Sequence, residues 1–261
     1  MCLIAFALQA HPRWRFVLAG NRDEFHARPT AMAGPLDGEG RRFGGRDLQA
    51  GGGWLQVSAE GRVAAVTNVR LGGPQPAVRS RGELVQGFIS GEGSGADYAE
   101  RLHAEALMFG RFNLLVWDGV ATIVGNHPQP HAKPLSSGVY TLSNAALDTP
   151  WPKSLHLREA LDAWLNETSK YDHPADDPRL LEPLFVALAN RAEADDAALP
   201  DTGVPYDWEK RLSAAFIVGV DYGTRASSVV LVDDTGVWFE ERSFGPLGFA
   251  TGRVATWLLN R

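Results

Sequence analysis

The chain of 261 residues contains one cysteine, Cys2, and this scarcity excludes an internal disulfide framework. A chain without disulfides is typical of a reducing compartment, so a cytoplasmic location is predicted. No stretch approaches the roughly 20 consecutive apolar residues that span a bilayer, which predicts that there is no transmembrane segment. The apolar run at the start lacks the basic residues that open a signal peptide, so no cleaved leader is expected.

Positive charge is also scarce, because 25 basic residues stand against 31 acidic ones and the formal net charge is -6. No basic cluster of the kind that holds a phosphate backbone is present, so nucleic acid is not expected as a partner. Hydrophobic residues make up 44% of the chain, enough to bury a large core. Because no repeat or domain boundary is visible, we predict a single domain over residues 1–261, with the oligomeric state left open.

The position of the lone cysteine suggests a nucleophile. Cys2 follows the initiator Met1, which is usually removed before a small residue, and removal would leave a thiol and a free α-amine on one residue. An α-amine titrates near ~8 and a thiol near ~8.5, so the amine is able to act as the base for its own thiol. The alternative is a buried core cysteine at the start of the apolar run 2–8. Both interpretations stay open at this point.

Hairpin patterns at the start of the chain bring further polar residues to Cys2. Residues 2–8 and 15–19 are strand-like and are joined by a short polar connector, which predicts a hairpin. The end of its second strand then lies beside the start of its first. We therefore expect Asn21, Arg22 and Asp23 to lie near Cys2.

The remaining pattern predicts an α/β chain with antiparallel sheets. The glycine-rich stretch 44–53 leads into strands at 54–57 and 62–67; because it opens a strand and not a helix, we favour a tight turn over a phosphate cradle. The strands at 54–57 and 62–67 form a second predicted hairpin, and a third strand pair flanks Asp118-Gly119, the strongest hairpin signal in the chain. Helices are predicted to begin at Ser80, to follow a cap at Asp97, and to cover residues 153–168, 180–193 and 249–259. Further strands are predicted at 139–142, 214–220, 226–232 and 236–241. Surface loops are predicted at 171–178 and 195–208, and the second of these loops is a candidate lid.

Ordered motifs along nearly the whole chain resemble the NRDE family, also called the transport and Golgi organisation 2 (TANGO2) family. These motifs are Met1-Cys2, Asn21-Arg22-Asp23-Glu24 with Arg28-Pro29, Gly45-Arg46-Asp47, Gly52-Gly53-Trp54-Leu55, Thr67-Asn68, Ser80-Arg81-Gly82, Phe112-Asn113-Leu114, Leu142-Ser143-Asn144, Asp148-Thr149-Pro150-Trp151-Pro152-Lys153 and Tyr222-Gly223-Thr224-Arg225. The resemblance implies the fold of the N-terminal nucleophile (Ntn) hydrolases, a four-layer αββα sandwich with two antiparallel sheets. It leaves open whether the chain is an enzyme.

A more distant resemblance is to the cysteine Ntn amidases, such as penicillin V acylase and the bile salt hydrolases. Carried over by matching positions, it implies a catalytic set of Cys2, Arg22, Asp23, Asn68, Asn144 and Arg225. Those amidases read Arg-Asn-x-Asp in the first cluster, whereas this chain reads Asn21-Arg22-Asp23, so which of these side chains points inward is an open question. Contacts to substrate are predicted for Asn21, His26 and Arg46.

The resemblance implies a mechanism in which Cys2 attacks an amide or thioester carbonyl. Asp23 would orient the amine, Arg22 would stabilise the thiolate, and the amides of Asn68 and Asn144 would donate to the oxyanion. Arg225 would steady the cluster or bind a substrate carboxylate. This hydrolase or acyltransferase would need no cofactor.

The alternative function is a carrier that binds haem, acyl-CoA or another amphipathic ligand in the same cavity without turning it over. His26 lies beside the polar tetrad Asn21-Arg22-Asp23-Glu24 and could ligate haem iron. Seven histidines are ordinary for this length, and the prolines between His127 and His131 spoil a helical ligand pair, so no metal site is predicted.

Overall fold

Two antiparallel sheets form the centre of the molecule. The computed structural model describes residues 2–73 and 77–260, so Met1 lies outside the described residues. One sheet of the described part runs in the order β10 (Gly138–Leu142), β1 (Cys2–Leu8), β2 (Phe16–Phe25), β11 (Tyr222–Val232), β12 (Gly236–Phe244) and β13 (Ala250–Leu259). The other runs β3 (Thr30–Pro35), β4 (Arg42–Asp47), β5 (Leu55–Ser58), β6 (Val63–Asn68), β7 (Phe112–Trp117), β8 (Ala121–Gly125) and β9 (His131–Pro134).

The apolar run at the start of the chain is explained by a strand that is buried on both faces. Ile4 and Phe6 point between the two sheets, where they pack with Val57 of the second sheet. Leu3 and Ala5 point to the outer face. Because successive side chains of a strand alternate between faces, a strand covered on both sides reads as continuous hydrophobicity and not as an alternating pattern.

Helices cover the outer faces and complete four layers. Helices α3 (Pro152–Glu167) and α4 (Glu182–Leu188) pack on the sheet that contains β1, through residues such as Leu157 and Leu184. Helices α1 (Gly82–Ser90) and α2 (Gly95–Glu105) cover the other sheet. Helix α5 (Tyr206–Leu212) lies beyond α4 in the chain. No helix in the described ranges 2–73 and 77–260 is long and apolar enough to cross a bilayer.

The first hairpin forms as predicted, but its second strand is longer than the sequence suggested. Cys2 lies opposite Arg22 and Leu3 opposite Asn21 in an antiparallel ladder. The strand β2 continues to Phe25, so the whole Asn21 to Glu24 tetrad is inside it. The tetrad residues therefore alternate between the two faces of the sheet.

Three local predictions are wrong. Residues 249–259 are not a helix: β13 pairs with β12 from Leu259 opposite Gly236 to Ala250 opposite Phe244. The open edge of β12, which the local sequence does not reveal, offers a full ladder of hydrogen bonds to this segment. Residues 214–220 are not a strand, because their backbone bonds to other partners, such as Phe216 N to the carbonyl of Asn190 at 2.7 Å. The cap of α2 is Ser94, and Asp97 completes its capping box from inside the helix.

The glycine-rich turn has the predicted character. Gly51 and Gly52 both have φ near +71°, a conformation that glycine adopts without a steric penalty. A Cβ on Gly52 would lie 2.4 Å from the backbone of Gly82, where α1 begins, so the turn packs directly against that helix. The turn follows Arg46 and Asp47 at the end of β4 and so holds both residues beside the cavity described next.

Candidate active site

A cavity of about 650 Å³ opens where the ends of the two sheets meet. Both sheets contribute, as does the segment that leads into α1. The lining residues are Cys2, Arg22, Asp23, Glu24, Arg28, Thr30, Ala31, Met32, Gly45, Arg46, Asp47, Ala50, Gly53, Trp54, Val66, Asn68, Ala77, Val78, Arg79, Ser80, Arg81, Gly82, Gly110, Arg225, Ala226, Glu241, Ser243, Phe244 and Thr251. Predicted site residues from distant parts of the chain therefore share one cavity: Cys2, Arg22, Asp23, Arg46, Asn68 and Arg225.

Cys2 is at the start of β1, and its side chain is on the face between the sheets. Only 6% of the residue is exposed. The hydroxyl of Ser143, which follows β10, donates to the carbonyl oxygen of Cys2 at 3.0 Å and ties the strand to its neighbour. Burial raises the pKa of the Cys2 thiol, so the protonated thiol is the resting form at neutral pH.

The tetrad divides between the two faces of β2, which answers the question of which side chain points inward. Arg22, opposite Cys2, points into the cavity. Asn21 points to the helical side, where its amide donates at 2.8 Å to the carbonyls of Leu188 and Ala215. Asn21 therefore does not line the cavity, and it joins the sheet to the helical layer.

Asp23 is on the same face of β2 as Asn21, yet it also borders the cavity at the end of the strand. The residue is 1% exposed, and its Oδ1 accepts a hydrogen bond from the hydroxyl of Thr224 at 2.7 Å. Burial raises the pKa of Asp23, while the positive charges of Lys153 and Arg22 oppose that rise. Asp23 is thus positioned at the start of β1, where a Cys2 α-amine would lie.

Lys153, which the catalytic prediction did not include, is a buried lysine that does not line the cavity. It is 5% exposed, and its ammonium donates to the carbonyl oxygen of Leu212 at 2.7 Å. Burial lowers the pKa of Lys153 to about 8, and Asp23 is the strongest opposing charge. The sequence carries one signal for it, a lysine in the first turn of a helix, where a cation is unfavourable.

Asn68 and Asn144 are hydrogen-bonded to each other, but only Asn68 lines the cavity. The Nδ2 of Asn144 donates at 3.0 Å to both the backbone carbonyl and the side-chain Oδ1 of Asn68. Asn68 lines the cavity, whereas Asn144 is fully buried behind it. Because the amide oxygen of Asn68 faces Asn144, its Nδ2 is the group left for a ligand in the cavity.

Arg225 is at a β-bulge. The pairing of β11 with β2 shifts register between Thr224 and Ala226, so Arg225 has no partner in the ladder and its side chain is redirected. Its guanidinium donates to the carbonyls of Phe25, His26 and Arg28 at 3.1, 3.3 and 3.2 Å while it borders the cavity.

His26 does not line the cavity. Its Nε2 is 3.2 Å from the place that a Cβ on Gly223 would occupy, so the ring packs against β11. Burial and the neighbouring Arg225 lower its pKa, which keeps the imidazole neutral. Across the ranges 2–73 and 77–260, no group of three or more His, Cys, Asp or Glu side chains is arranged to hold a metal ion.

Six arginines give the cavity its electrostatic character, and half of them are unpaired with carboxylates. Arg28 pairs with Asp47 at 2.6 Å and Arg79 with Glu83 at 3.0 Å, while Arg22 has only long contacts to Glu24 and Asp47 at 3.8 and 3.9 Å. The other three, Arg46, Arg81 and Arg225, make no ion pair with any described residue. The cavity is therefore suited to a ligand that brings an acidic group.

Residues 1–246 match the family model described as Transport and Golgi organisation 2. The chain is 31% identical over 259 residues to the Transport and Golgi organization 2 homolog of Mus musculus, an alignment that covers 93% of each chain.

Two solved structures show the fold of the chain. One is a conjugated bile acid hydrolase variant from Clostridium perfringens, with a TM-score of 0.55, 7% identity, and coverage of 98% of this chain and 92% of that chain. The other is penicillin V acylase from Agrobacterium tumefaciens, with a TM-score of 0.56, 11% identity, and coverage of 98% and 85%. The predicted Ntn-hydrolase fold is confirmed by this likeness together with the two antiparallel sheets.

Proposed function

Since the chain belongs to the Transport and Golgi organisation 2 family and has the Ntn-hydrolase fold, we propose that it cleaves an amide or thioester, or transfers its acyl group, through Cys2. The observation that carries the proposal is the thiol of Cys2 in a cavity that Arg22, Asp23 and Asn68 also border. The four residues come from three different strands and meet around one space large enough for a small molecule.

The proposed reaction begins after Met1 is removed. The α-amine of Cys2 takes the thiol proton, and the sulfur attacks the carbonyl carbon to form a tetrahedral oxyanion. Collapse breaks the bond to the leaving amine or thiol, which receives the proton, and a thioester to Cys2 remains. Water, or another acceptor, then attacks that thioester and releases the acyl group with the thiol restored.

Three side chains support these steps. Arg22 lies opposite Cys2 and lowers the pKa of the thiol, against the larger effect of burial. Asp23 would hold the amine, and the Nδ2 of Asn68 would donate to the oxyanion; both roles are supported by the position of these residues in the cavity lining. In this account Asn144 is a positioning residue that orients Asn68, instead of a second oxyanion donor.

The unpaired arginines indicate the class of substrate. A carboxylate, sulfonate or phosphate on the substrate could pair with Arg46, Arg81 or Arg225, which line the cavity and make no ion pair with the described protein carboxylates. We therefore propose an acyl compound that carries an acidic group.

Reversal of one of these charges tests the substrate class. We expect Arg46→Glu to raise KM for acidic acyl substrates about tenfold, the worth of one charge-assisted hydrogen bond. The matched control is Arg179→Glu, which changes net charge equally at a side chain that is 91% exposed. Equal KM values for the two variants would contradict the assignment of Arg46 to the substrate.

A carrier of an amphipathic ligand is the second candidate function, and one observation favours it. Burial raises the pKa of the Cys2 thiol, and a protonated thiol in a cavity of this size is compatible with binding alone. Under this alternative the cargo is haem, acyl-CoA or another amphipathic ligand, and the packing of His26 against β11 offers no iron ligand to the cavity.

Intact mass spectrometry distinguishes the two functions. The purified protein is measured before and after incubation with N-acyl amides and acyl thioesters, with and without an acidic group. We expect a protein that lacks Met1 and gains one acyl group, and no acyl group in Cys2→Ala. Retained Met1 without an adduct on any compound would overturn the hydrolase and leave the carrier.

A further inference from the structure

The turn that joins β12 to β13 displays apolar side chains to solvent. This hairpin tip, residues 245–249, reads Gly-Pro-Leu-Gly-Phe and has no polar or charged side chain. Leu247 is 61% exposed and Phe249 is 75% exposed. Val220, which is 63% exposed, lies beside the tip, because the N–H of Leu247 donates to the carbonyl of the preceding residue, Gly219, at 2.9 Å. Leu247, Phe249 and Val220 therefore form one exposed apolar patch.

The turn itself does not explain the leucine at its centre. Leu247 has a φ of +59°, in the left-handed region that is unfavourable for a bulky side chain. Glycine or asparagine would form the same turn at a lower cost. Because this leucine is both strained and exposed, its apolar side chain contributes little to the fold and is suited to a contact outside the chain.

The hairpin tip stands at the mouth of the cavity. Phe244 and Thr251, on either side of the tip, both line the cavity, and Phe244 is paired with Ala250 across the hairpin. Met32 lines the cavity from the other sheet and is 47% exposed. Its Sδ is 2.7 Å from the place that a Cβ on Gly252 would occupy, so it packs on the same hairpin. The apolar patch is therefore continuous with the rim of the cavity.

Two arginines without carboxylate partners flank the patch. The Nη2 of Arg191 is 3.4 Å from the place of a Cβ on Gly248, and Arg211 lies against Gly219. Neither arginine makes an ion pair with a carboxylate in the ranges 2–73 and 77–260. One carboxylate, Asp221, follows Val220 in the chain. The surroundings of the patch thus have an excess of positive charge, to which the unpaired arginines of the cavity add.

We propose that the hairpin tip docks the mouth of the cavity onto a lipid surface that contains anionic lipids. Exposed leucine and phenylalanine side chains flanked by arginine are suited to the boundary between lipid headgroups and acyl chains. A tip without polar side chains offers no side-chain hydrogen bond that selects a protein partner, whereas the lipid interior requires none.

The docking goes beyond the proposed function. Neither Leu247 nor Phe249 lines the cavity, so the lipid contact is independent of the chemistry at Cys2. It applies to a hydrolase and to a carrier alike, because both require the cavity mouth to meet the ligand. An acidic amphipathic compound held in the lipid surface would reach the cavity without crossing water.

Sedimentation of the full chain with vesicles tests the docking. One set of vesicles is phosphatidylcholine with about 30% phosphatidylserine, and the other is phosphatidylcholine alone. We expect the protein to bind the anionic vesicles at least about fivefold more strongly, the worth of one arginine near such a surface. Leu247→Asn combined with Phe249→Ser should lower this binding about tenfold or more, because two apolar side chains are lost from the contact. Asparagine suits the left-handed conformation at position 247, so this variant is expected to fold.

Matched variants control for the loss of exposed side chains. Val120 is in the turn between β7 and β8 and is 58% exposed, and Tyr171 follows α3 and is 78% exposed. Val120→Asn combined with Tyr171→Ser should bind as the wild-type protein does. Arg191→Gln should weaken binding to the anionic vesicles about fivefold, whereas Arg179→Gln, at a side chain that is 91% exposed, should not.

Three results would overturn the docking. They are a Leu247→Asn/Phe249→Ser variant that binds as the wild-type protein does, equal binding to both kinds of vesicle, and wild-type protein that sediments with neither. The last result would leave the patch to a protein partner. Cys2→Ala should sediment as the wild-type protein does, so the two proposals fail separately. An acyl adduct without vesicle binding removes the docking and keeps the hydrolase, and vesicle binding without an adduct does the reverse.

Discussion

Asn68→Ala is expected to lower kcat by about 10²–10³, the usual cost of one lost oxyanion donor. The physical reason is that Asn68 lines the cavity and its Oδ1 is held by Asn144, which leaves its Nδ2 to donate to the oxyanion. The measurement is steady-state hydrolysis of the acyl compound that labels Cys2. Alkylation of Cys2 in the same variant should stay at the wild-type rate, because the thiol has not been changed.

Two further variants sharpen this result. Asn144→Ala leaves the amide of Asn68 free to rotate, so it should also lower kcat, by a smaller factor. Asn166→Ala removes an exposed side chain on α3 that bonds to the carbonyl of Asp162, and it should have no effect. An Asn68→Ala enzyme with wild-type kcat would remove Asn68 from the oxyanion site and leave Asn144 without its positioning role.

Arg70→Met is expected to lower the free energy of unfolding by about 3–5 kcal/mol, the cost of leaving one charge of a buried ion pair without its partner. The guanidinium lies 3.0 Å from Glu209, and the two side chains are 3% and 6% exposed. The guanidinium also stacks 4.8 Å above the ring of Trp151, the N-cap residue of α3. Urea denaturation followed by tryptophan fluorescence measures the loss.

An exposed pair provides the comparison. Arg15 and Asp234 lie 3.2 Å apart with side chains that are 53% and 85% exposed, so Asp234→Ala should change stability by about 1 kcal/mol or less. Because an unpaired charge is the source of the loss, Arg70→Met combined with Glu209→Leu should recover much of it. Equal stability of Arg70→Met and Asp234→Ala would show that Glu209 is compensated by other groups.

This ion pair also bears on the candidate site. The backbone N–H of Arg70 donates to the carbonyl of Asn144 at 2.7 Å, and Glu209 accepts from the backbone of Thr202 at 2.8 Å. Residue 202 lies in the loop predicted as a lid. The pair therefore holds that loop and the residue that orients Asn68 in one buried arrangement, so we expect Arg70→Met to lower activity as well as stability.

Several parts of the fold were determined by local chemistry. The run from Cys2 to Leu8, the Asp118-Gly119 turn and the glycine turn at 51–52 each formed as predicted, because short-range sterics and apolar burial act within a few residues. The terminal segment, residues 249–259, was predicted as a helix and forms the strand β13. The β-branched residues of β13 are compatible with an edge strand, but only the open edge of β12 selects that state over a helix.

For the candidate site, the sequence alone brought Asn21, Arg22 and Asp23 to Cys2, since a hairpin makes its ends neighbours. Only the tertiary structure decided which of them enter the cavity. The alternation of β2 directs Arg22 inward and Asn21 outward, and a bulge redirects Arg225. Lys153 shows the same limit: its position in a first helical turn can be read from the chain, but its burial depends on α3 packing against β1, a contact between segments far apart in the chain that no local pattern encodes.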